Sequence, residues 1–370
     1  MDATNSLLCQ VAITMTSKLN NKLAFPLFER CGGVEGFFHE SKNALQILME
    51  EFHWKNIEIK QKEWLDLAKK ESDIMQKEEI ACCFIEDMEY PPLLKHCEDA
   101  PLVLFYKGRL TISGDKTIAI VGTRKASERC KNRMDFIIEQ IAGMGYRPLV
   151  VSGLAYGIDI TAHKACLRHN LITRAVLGHG LHMVYPSRHK EIADRIISQG
   201  GALISEFPTC APILPINFLQ RNRIIAGMSE AVLVAESAIK GGAMATARQA
   251  LSYNREVMAL PGRPEDLLSS GCNLLIKENI AALVEHVDDI LKIIHWENRP
   301  SLSRQTSLPF LGETDMEKTI KRHLAGEGPQ DIDQLHVSTG IPIPTLSSLL
   351  LKLELEGIIS RLPGKNYMLL

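Results

Sequence analysis

The run Thr117-Ile-Ala-Ile-Val-Gly-Thr-Arg-Lys-Ala-Ser127 decides the fold. Its strand-favouring residues end at Gly122, a hydroxyl and a guanidinium follow, and Ser127 stands where a helix N-cap belongs. Beyond it Met134, Ile137, Ile138 and Ile141 recur at the spacing of one core-facing helix stripe. Strand, glycine turn and helix form the opening of a βαβ unit.

Toward the C-terminus the alternation repeats, predicting strands at 148–152, 172–177, 201–204, 231–235 and 256–260 with a helix-length segment between each pair. Such a pattern predicts an α/β fold built on a doubly wound, mainly parallel Rossmann-like sheet. Ligands of such sheets bind beyond the carboxyl ends of the strands, near the point where strand order reverses. In this chain those ends carry glycine, hydroxyl and arginine clusters.

Residues 1–80 read as short helices, including one from Glu63 to Met75. The Gly32-Gly33 turn among them is either an ordinary interhelical turn or a backbone-phosphate contact of the helix-hairpin-helix kind. From Phe84 to Gly108 a strand, a Tyr90-Pro-Pro turn and the strand Val103 to Tyr106 lead into the sheet, and an amphipathic helix is expected at about 279–293. The polar, breaker-rich stretch Asn298 to Ser307 reads as a linker. Helical patterns near 314–325, 331–339 and 344–356, with strand-like segments flanking Pro363-Gly364, describe a winged-helix module. The expected organisation is therefore a helical N-terminal domain (1–80), a Rossmann-like domain (81–296), a linker (297–312) and a winged-helix-like domain (313–370). The 344–356 segment holds one lysine against two glutamates, which favours packing or partner binding over DNA reading.

The 370 residues are 45% hydrophobic and 23% charged, an ordinary globular composition. No stretch approaches the roughly 18 uninterrupted apolar residues of a membrane helix, so no membrane insertion is expected. Met1 to Gln10 carries Asp2 and lacks a basic segment before an apolar core, so a secretory signal is not read there and a cytoplasmic location is expected. The nine cysteines are scattered with no CxxC pair, which fits reduced packing cysteines and no metal or redox centre. Net charge is −2, yet residues 118–262 hold 17 Lys and Arg against 10 Asp and Glu. That excess favours an anionic partner, with a merely solvated surface as the alternative.

Gly122, Thr123 and Arg124, followed by the helix that Ser127 opens, suit phosphate, although a tight turn with a solvated Arg124 would look the same. The loop is too short for a dinucleotide fingerprint and no acidic residue ends the next strand, so no nicotinamide cofactor is expected. Ser152, Gly153 and Gly157 form a second glycine-rich turn, with Lys164 beyond it as a phosphate-facing candidate. Asp159 and His163 share a helix face; an acid-base role competes with simple helix capping, and no nucleophile elbow adjoins them. A third cluster, Phe218, Arg221, Asn222 and Arg223, combines guanidinium clamps with a ring that either stacks on bases or packs in the core. Gly241 and Gly242 open a later helix, and Pro261-Gly262 follows the last strand.

Val121-Gly-Thr-Arg, Ser152-Gly-Leu-Ala-Tyr-Gly-Ile-Asp159, Ser205-Glu-Phe-Pro, Arg221-Asn-Arg-Ile-Ile-Ala-Gly and Ala259-Leu-Pro-Gly262 stand in an order that closely resembles the DprA/Smf family, as does the segment Tyr90-Pro-Pro-Leu-Leu-Lys95. The resemblance implies a non-enzymatic protein, without catalytic residues. Such a protein binds single-stranded DNA, dimerises through its Rossmann-like domain, protects incoming DNA and loads the RecA recombinase during natural transformation. It also implies that Arg124, Lys164, Phe218, Arg221 and Arg223 line the DNA groove, shaped by Gly122, Ser127, Gly153, Gly157, Gly241 and Gly242. Tyr156, Gly241 and Cys130-Lys131 depart from the family pattern. A competing reading is an enzyme acting on a nucleotide or phosphosugar, with Glu206 and Glu236 as acid and base, but the Pro-Gly-Gly-x-Gly-Thr signature of phosphoribohydrolases is absent. A purely structural scaffold would leave the convergent polar clusters unexplained.

Overall fold

The computed structural model describes residues 3–16, 21–52, 59–110, 116–296, 315–328, 330–355, 358–362 and 366–369. The expected 297–312 linker and the Pro363-Gly364 turn lie outside the described residues. The chain divides into two compact units, Met1–Glu297 and Asn298–Leu370.

In the first unit the described residues form a nine-stranded sheet: β1 (Ala81–Phe84), β2 (Val103–Gly108), β3 (Thr117–Val121), β4 (Leu149–Ser152), β5 (Thr173–Leu177), β6 (Ala202–Ser205), β7 (Ala231–Val234), β8 (Glu256–Ala259) and β9 (Ala282–Leu283). Their order is β1-β2-β6-β5-β4-β3-β7-β8-β9. The strands from β3 to β9 are mutually parallel, while β1 and β2 join the β6 edge antiparallel. The chain winds from β3 out to β6 and then returns to β7, so strand order reverses between β3 and β7, where Ile118 lies opposite both Val150 and Ala231.

Period-two alternation along β3 divides the core. Ile118 and Ile120 pack with Met134, Ile137 and Ile138 of helix Glu128–Gly143. Ala119 and Val121 join the opposite cluster, with Ile224 and Ile225 of helix Pro215–Gly227. That second cluster extends to Phe37, Leu45 and Trp64. Residues of the expected 1–80 domain therefore share a core with the sheet and lie inside the same compact unit. Glu71 strengthens the junction: its carboxylate, 2% exposed, accepts from the Thr209 amide and hydroxyl, each at 2.7 Å. At the glycine turn the Gly33 amide donates to Phe28 O at 2.7 Å and that of Gly32 to Glu29 O at 3.2 Å. Those amides close the preceding helix, which makes this an ordinary interhelical turn.

The predicted helix at 279–293 is a correction. The structure has helix Ser270–Lys277, β9 and helix Val287–Ile293 in its place. Asn279 adopts a left-handed φ of 56°, which stops the first helix. Asp289 accepts from the amides of Glu285 at 2.9 Å and His286 at 2.8 Å, which starts the second.

The second unit holds helices Asp315–Glu327, Ile332–Thr339 and Ile343–Leu355 with β10 (Gln330–Asp331), β11 (Ile359–Leu362) and β12 (Asn366–Leu369) in the order β10-β12-β11. Ile320, Leu324, Leu335, Leu346, Leu350 and Leu353 form its core. Asp331 and Gln334 make a capping box, and Gly340 ends that helix in the left-handed region at φ 68°. Lys352 is held by Glu317 at 2.6 Å, so the cation of the third helix is engaged within the module.

Ile137 is fully buried beneath the helix that follows β3. Ile137→Ala is expected to lower unfolding free energy by about 2–5 kcal/mol with an unchanged denaturant m-value, measured by urea titration.

Candidate functional site

The loops at the carboxyl edge of the sheet are organised around a buried guanidinium. Arg221 is 3% exposed and projects from helix Pro215–Gly227; its Nη1 donates to Gly153 O at 2.7 Å and also to Val176 O. It therefore ties the ends of β4 and β5 to one helix. A Cβ on Gly153 would overlap both this guanidinium and the Asp159 carboxylate, so only glycine fits. Burial depresses the Arg221 pKa to about 10, while neighbouring Asp159 favours the charged form. Burial likewise raises the Asp159 carboxyl, with Arg221 opposing that rise.

This placement corrects the expectation that Arg221 clamps phosphate. Its Nη1 is spent on the protein's own carbonyls, and its Nε is buried. Arg223 is two positions along and faces elsewhere, pairing with Glu206 and donating to Asp99 O. Asn222, half-buried between the two arginines, lines none of the clefts described below.

A second correction concerns the helix start after β3. Glu236, at the end of β7, accepts from the Ser127 amide at 2.8 Å and the Ser127 hydroxyl at 2.6 Å. Its main-chain oxygen accepts from the Thr123 amide at 2.6 Å. An internal carboxylate thus occupies the helix N-terminus that would otherwise take a phosphate. Gly122 is packed under Ile158 and the Glu236 carbonyl, and Ser152 is buried with its hydroxyl donated to Ile120 O at 2.6 Å. In these contacts the residues build the loops. Glu206 and Glu236 are both committed to protein partners, which removes the support for their acid-base roles.

Apart from a cleft of about 650 Å³ lined by Ser127, Arg133, Glu236 and Gly262 among others, the loops border an exposed cleft of about 570 Å³. Its walls carry Arg124, Lys125, Lys131, Lys164 and Arg168 against a single carboxylate, Asp135, with Tyr156, Gly157 and His189 among the other lining residues. Lys131 pairs with Glu128, and Arg168 with Asp135. Arg124, Lys125 and Lys164 are exposed and make no ion pair among the described residues. Gly157 holds φ 78° where a Cβ would overlap the Thr123 carbonyl, which lets the two glycine loops close against each other.

The Arg124 guanidinium lies 6.0 Å from the centre of the half-buried Phe218 ring, within cation–π range. The Phe218 centroid is 5.9 Å from that of Tyr185, itself 52% exposed. Gly178 at the end of β5 admits this helix closely, since a Cβ there would sit 3.1 Å from Phe218. Arg124, Gly157 and Lys164 line this one cleft and Phe218 lies beside Arg124, whereas Gly241 and Gly242 do not line it. Lys125, Lys131, Arg168 and His189 also line the cleft and were not singled out as site residues in the sequence; for the three cations the only signal is the basic excess, and for His189 there is none.

His163 is buried, with Nδ1 2.7 Å from Thr173 Oγ1, whose hydroxyl proton goes to Val150 O at 2.8 Å. Thr173 must therefore accept from Nδ1–H, leaving Nε2 bare. Burial, reinforced by Arg221, pushes this imidazole down to about 3. A neutral histidine locked between strands is a structural group, and Asp159 turns instead to the Ala155 amide at 3.4 Å.

Fold and cleft define an α/β protein with a cationic cleft beside its strand-end loops, linked in sequence to a winged-helix module. Residues 81–295 match the family model described as DNA recombination-mediator protein A, and residues 311–365 match the DprA winged helix domain. The chain belongs to the DprA/Smf family of DNA-processing proteins. Protein Smf of Escherichia coli is 39% identical over 282 residues, spanning 74% of each chain. The DNA processing protein DprA of Streptococcus pneumoniae is 39% identical over 202 residues, covering 55% of this chain and 70% of that protein. A solved structure of the Streptococcus pneumoniae protein superposes with a TM-score of 0.57 at 32% identity, covering 67% of this chain and 90% of the other. The Helicobacter pylori DNA processing protein A, solved for its single-stranded DNA binding mode, shares the fold with a TM-score of 0.51 at 24% identity, over 59% of this chain and 96% of that one.

Arg221→Ala is expected to destabilise the protein by about 3–5 kcal/mol, read by denaturant titration, because Asp159 is left as an uncompensated buried charge. His163 supplies a pH signature. Its folded pKa lies below its ordinary value of 6.5, so stability is fully present above 6.5 and is lost progressively as pH falls toward about 3. Calorimetric scans of His163→Gln should show a flatter stability profile across that window.

Proposed function

We propose that this chain binds single-stranded DNA along the cleft of Arg124, Lys125 and Lys164, without catalysis, and acts in recombination by protecting incoming strands and loading the RecA recombinase during natural transformation. In this reading it works in the cytoplasm as a homodimer. The observation that carries it is the gathering of exposed Arg124, Lys125 and Lys164 in one cleft, with the Phe218 ring beside Arg124 and the Tyr185 ring beside Phe218. Cations follow a phosphate backbone and rings accept any base, a combination suited to sequence-tolerant binding of unpaired strands. The recombination-mediator family model over residues 81–295 supports the same role. Among the described residues no helix is long and apolar enough to cross a membrane. The winged-helix module, with Lys352 held by Glu317, is read as a partner-binding element rather than a groove reader.

The test measures fluorescence anisotropy of a labelled oligonucleotide and its duplex across a salt series. Wild-type protein should prefer the single strand and weaken with salt. Arg124→Ala with Lys164→Ala should flatten the slope of log K against log salt by about 1.4, at roughly 0.7 for each phosphate released. A folded wild type that ignores DNA rejects the reading. RecA loading is tested separately, as faster RecA nucleation on strands precoated with a single-strand-binding protein.

A further inference from the structure

The basic cleft does not end at Lys164. Lys164, Arg168 and His189 also line a second depression of about 340 Å³, which adds the exposed Arg188 and Arg195 against one carboxylate, Glu191. The two depressions therefore form one continuous cationic track. Tyr156, 44% exposed, lines the first depression and packs on His189, which lines both, with ring centroids 4.8 Å apart and the rings steeply inclined.

The imidazole against that ring is anchored. His189 is 7% exposed, and its Nδ1 lies 2.8 Å from Leu154 O, in the same glycine-rich loop that carries Tyr156. Leu154 is itself fully buried. Among the described residues the Tyr156 hydroxyl has no hydrogen bond, and the ring belongs to neither core cluster of this unit. An aromatic ring that is fixed from below, open above and flanked by cations is arranged for stacking, since a base needs a flat apolar face and its adjoining phosphates need positive charge.

We propose that Tyr156 is a base-stacking platform between two phosphate-binding limbs, so that a strand held by Arg124 and Lys164 continues past Tyr156 to Arg188 and Arg195. This inference rests on the single-strand reading above. A duplex offers no splayed base to the ring, so the platform also sharpens selection for unpaired strands.

The experiment uses full-length protein and labelled oligothymidylates of fixed length, with one abasic site moved stepwise along the strand. In wild type, abasic sites at one register should weaken binding about 5- to 150-fold, the contribution of one stacked base. Tyr156→Ala should lose affinity by a similar factor and become indifferent to an abasic site there, while Tyr156→Phe keeps both affinity and sensitivity. Arg188→Ala with Arg195→Ala should make the salt slope shallower by about 1.4, corresponding to two phosphates. Circular dichroism establishes that each variant is folded. Unchanged affinity of Tyr156→Ala, or an unchanged salt slope in the double variant, overturns the proposal and leaves the single-strand reading standing. Failure of the wild type to bind any single strand removes that reading and this inference with it.

Discussion

The carboxyl edge of this sheet depends on the Arg221 guanidinium. A buried cation is costly unless its donors find acceptors, and here Nη1 finds the carbonyls of Gly153 and Val176 beside the Asp159 carboxylate, while Nε is buried without a hydrogen bond among the described residues. Two strand ends and one helix are thereby held in a single arrangement. Gly153 must lack a side chain to allow it, and His163 stays neutral under it. Phe218, nearly one helical turn before Arg221, is carried to the rim where Arg124 meets its ring.

Charged groups in this region divide into two populations. Arg221, Arg223, Glu206, Glu236 and Asp159 are buried or half-buried and act on one another or on the main chain. Arg124, Lys125 and Lys164 stand in water, where their attraction is screened by salt and indifferent to sequence. The first population sets shape and the second supplies attraction. Because Glu236 fills the helix N-terminus at the point of strand reversal, the cationic cleft lies to one side of it, between the helices that follow β3 and β4.

Much of the architecture was legible because it follows from local periodicity. The apolar runs ending at Gly122 and Ser152 could only be buried strands, and Met134, Ile137, Ile138 and Ile141 could only be a helix stripe. The helix expected at 279–293 failed because Asn279 and Asp289 divide a continuous apolar pattern through backbone effects that periodicity does not register. The site was legible in part. Arg124 and Lys164 lie where their loop and helix direct them, whereas the Arg221 and Arg223 pair, the most conspicuous motif in the chain, is inward-facing.

The sequence by itself determined the βα alternation, the winged-helix module and the family to which the chain belongs, since each is written in the order and spacing of neighbouring residues. Tertiary structure alone decided which cations meet solvent and which are consumed in the interior. A guanidinium looks the same in sequence whether it ends on a phosphate or on Gly153 O, and its fate depends on groups as distant as the 68 residues separating Arg221 from Gly153. Burial and partnership are properties of the folded chain, and here they separate the residues that hold the cleft open from those that line it.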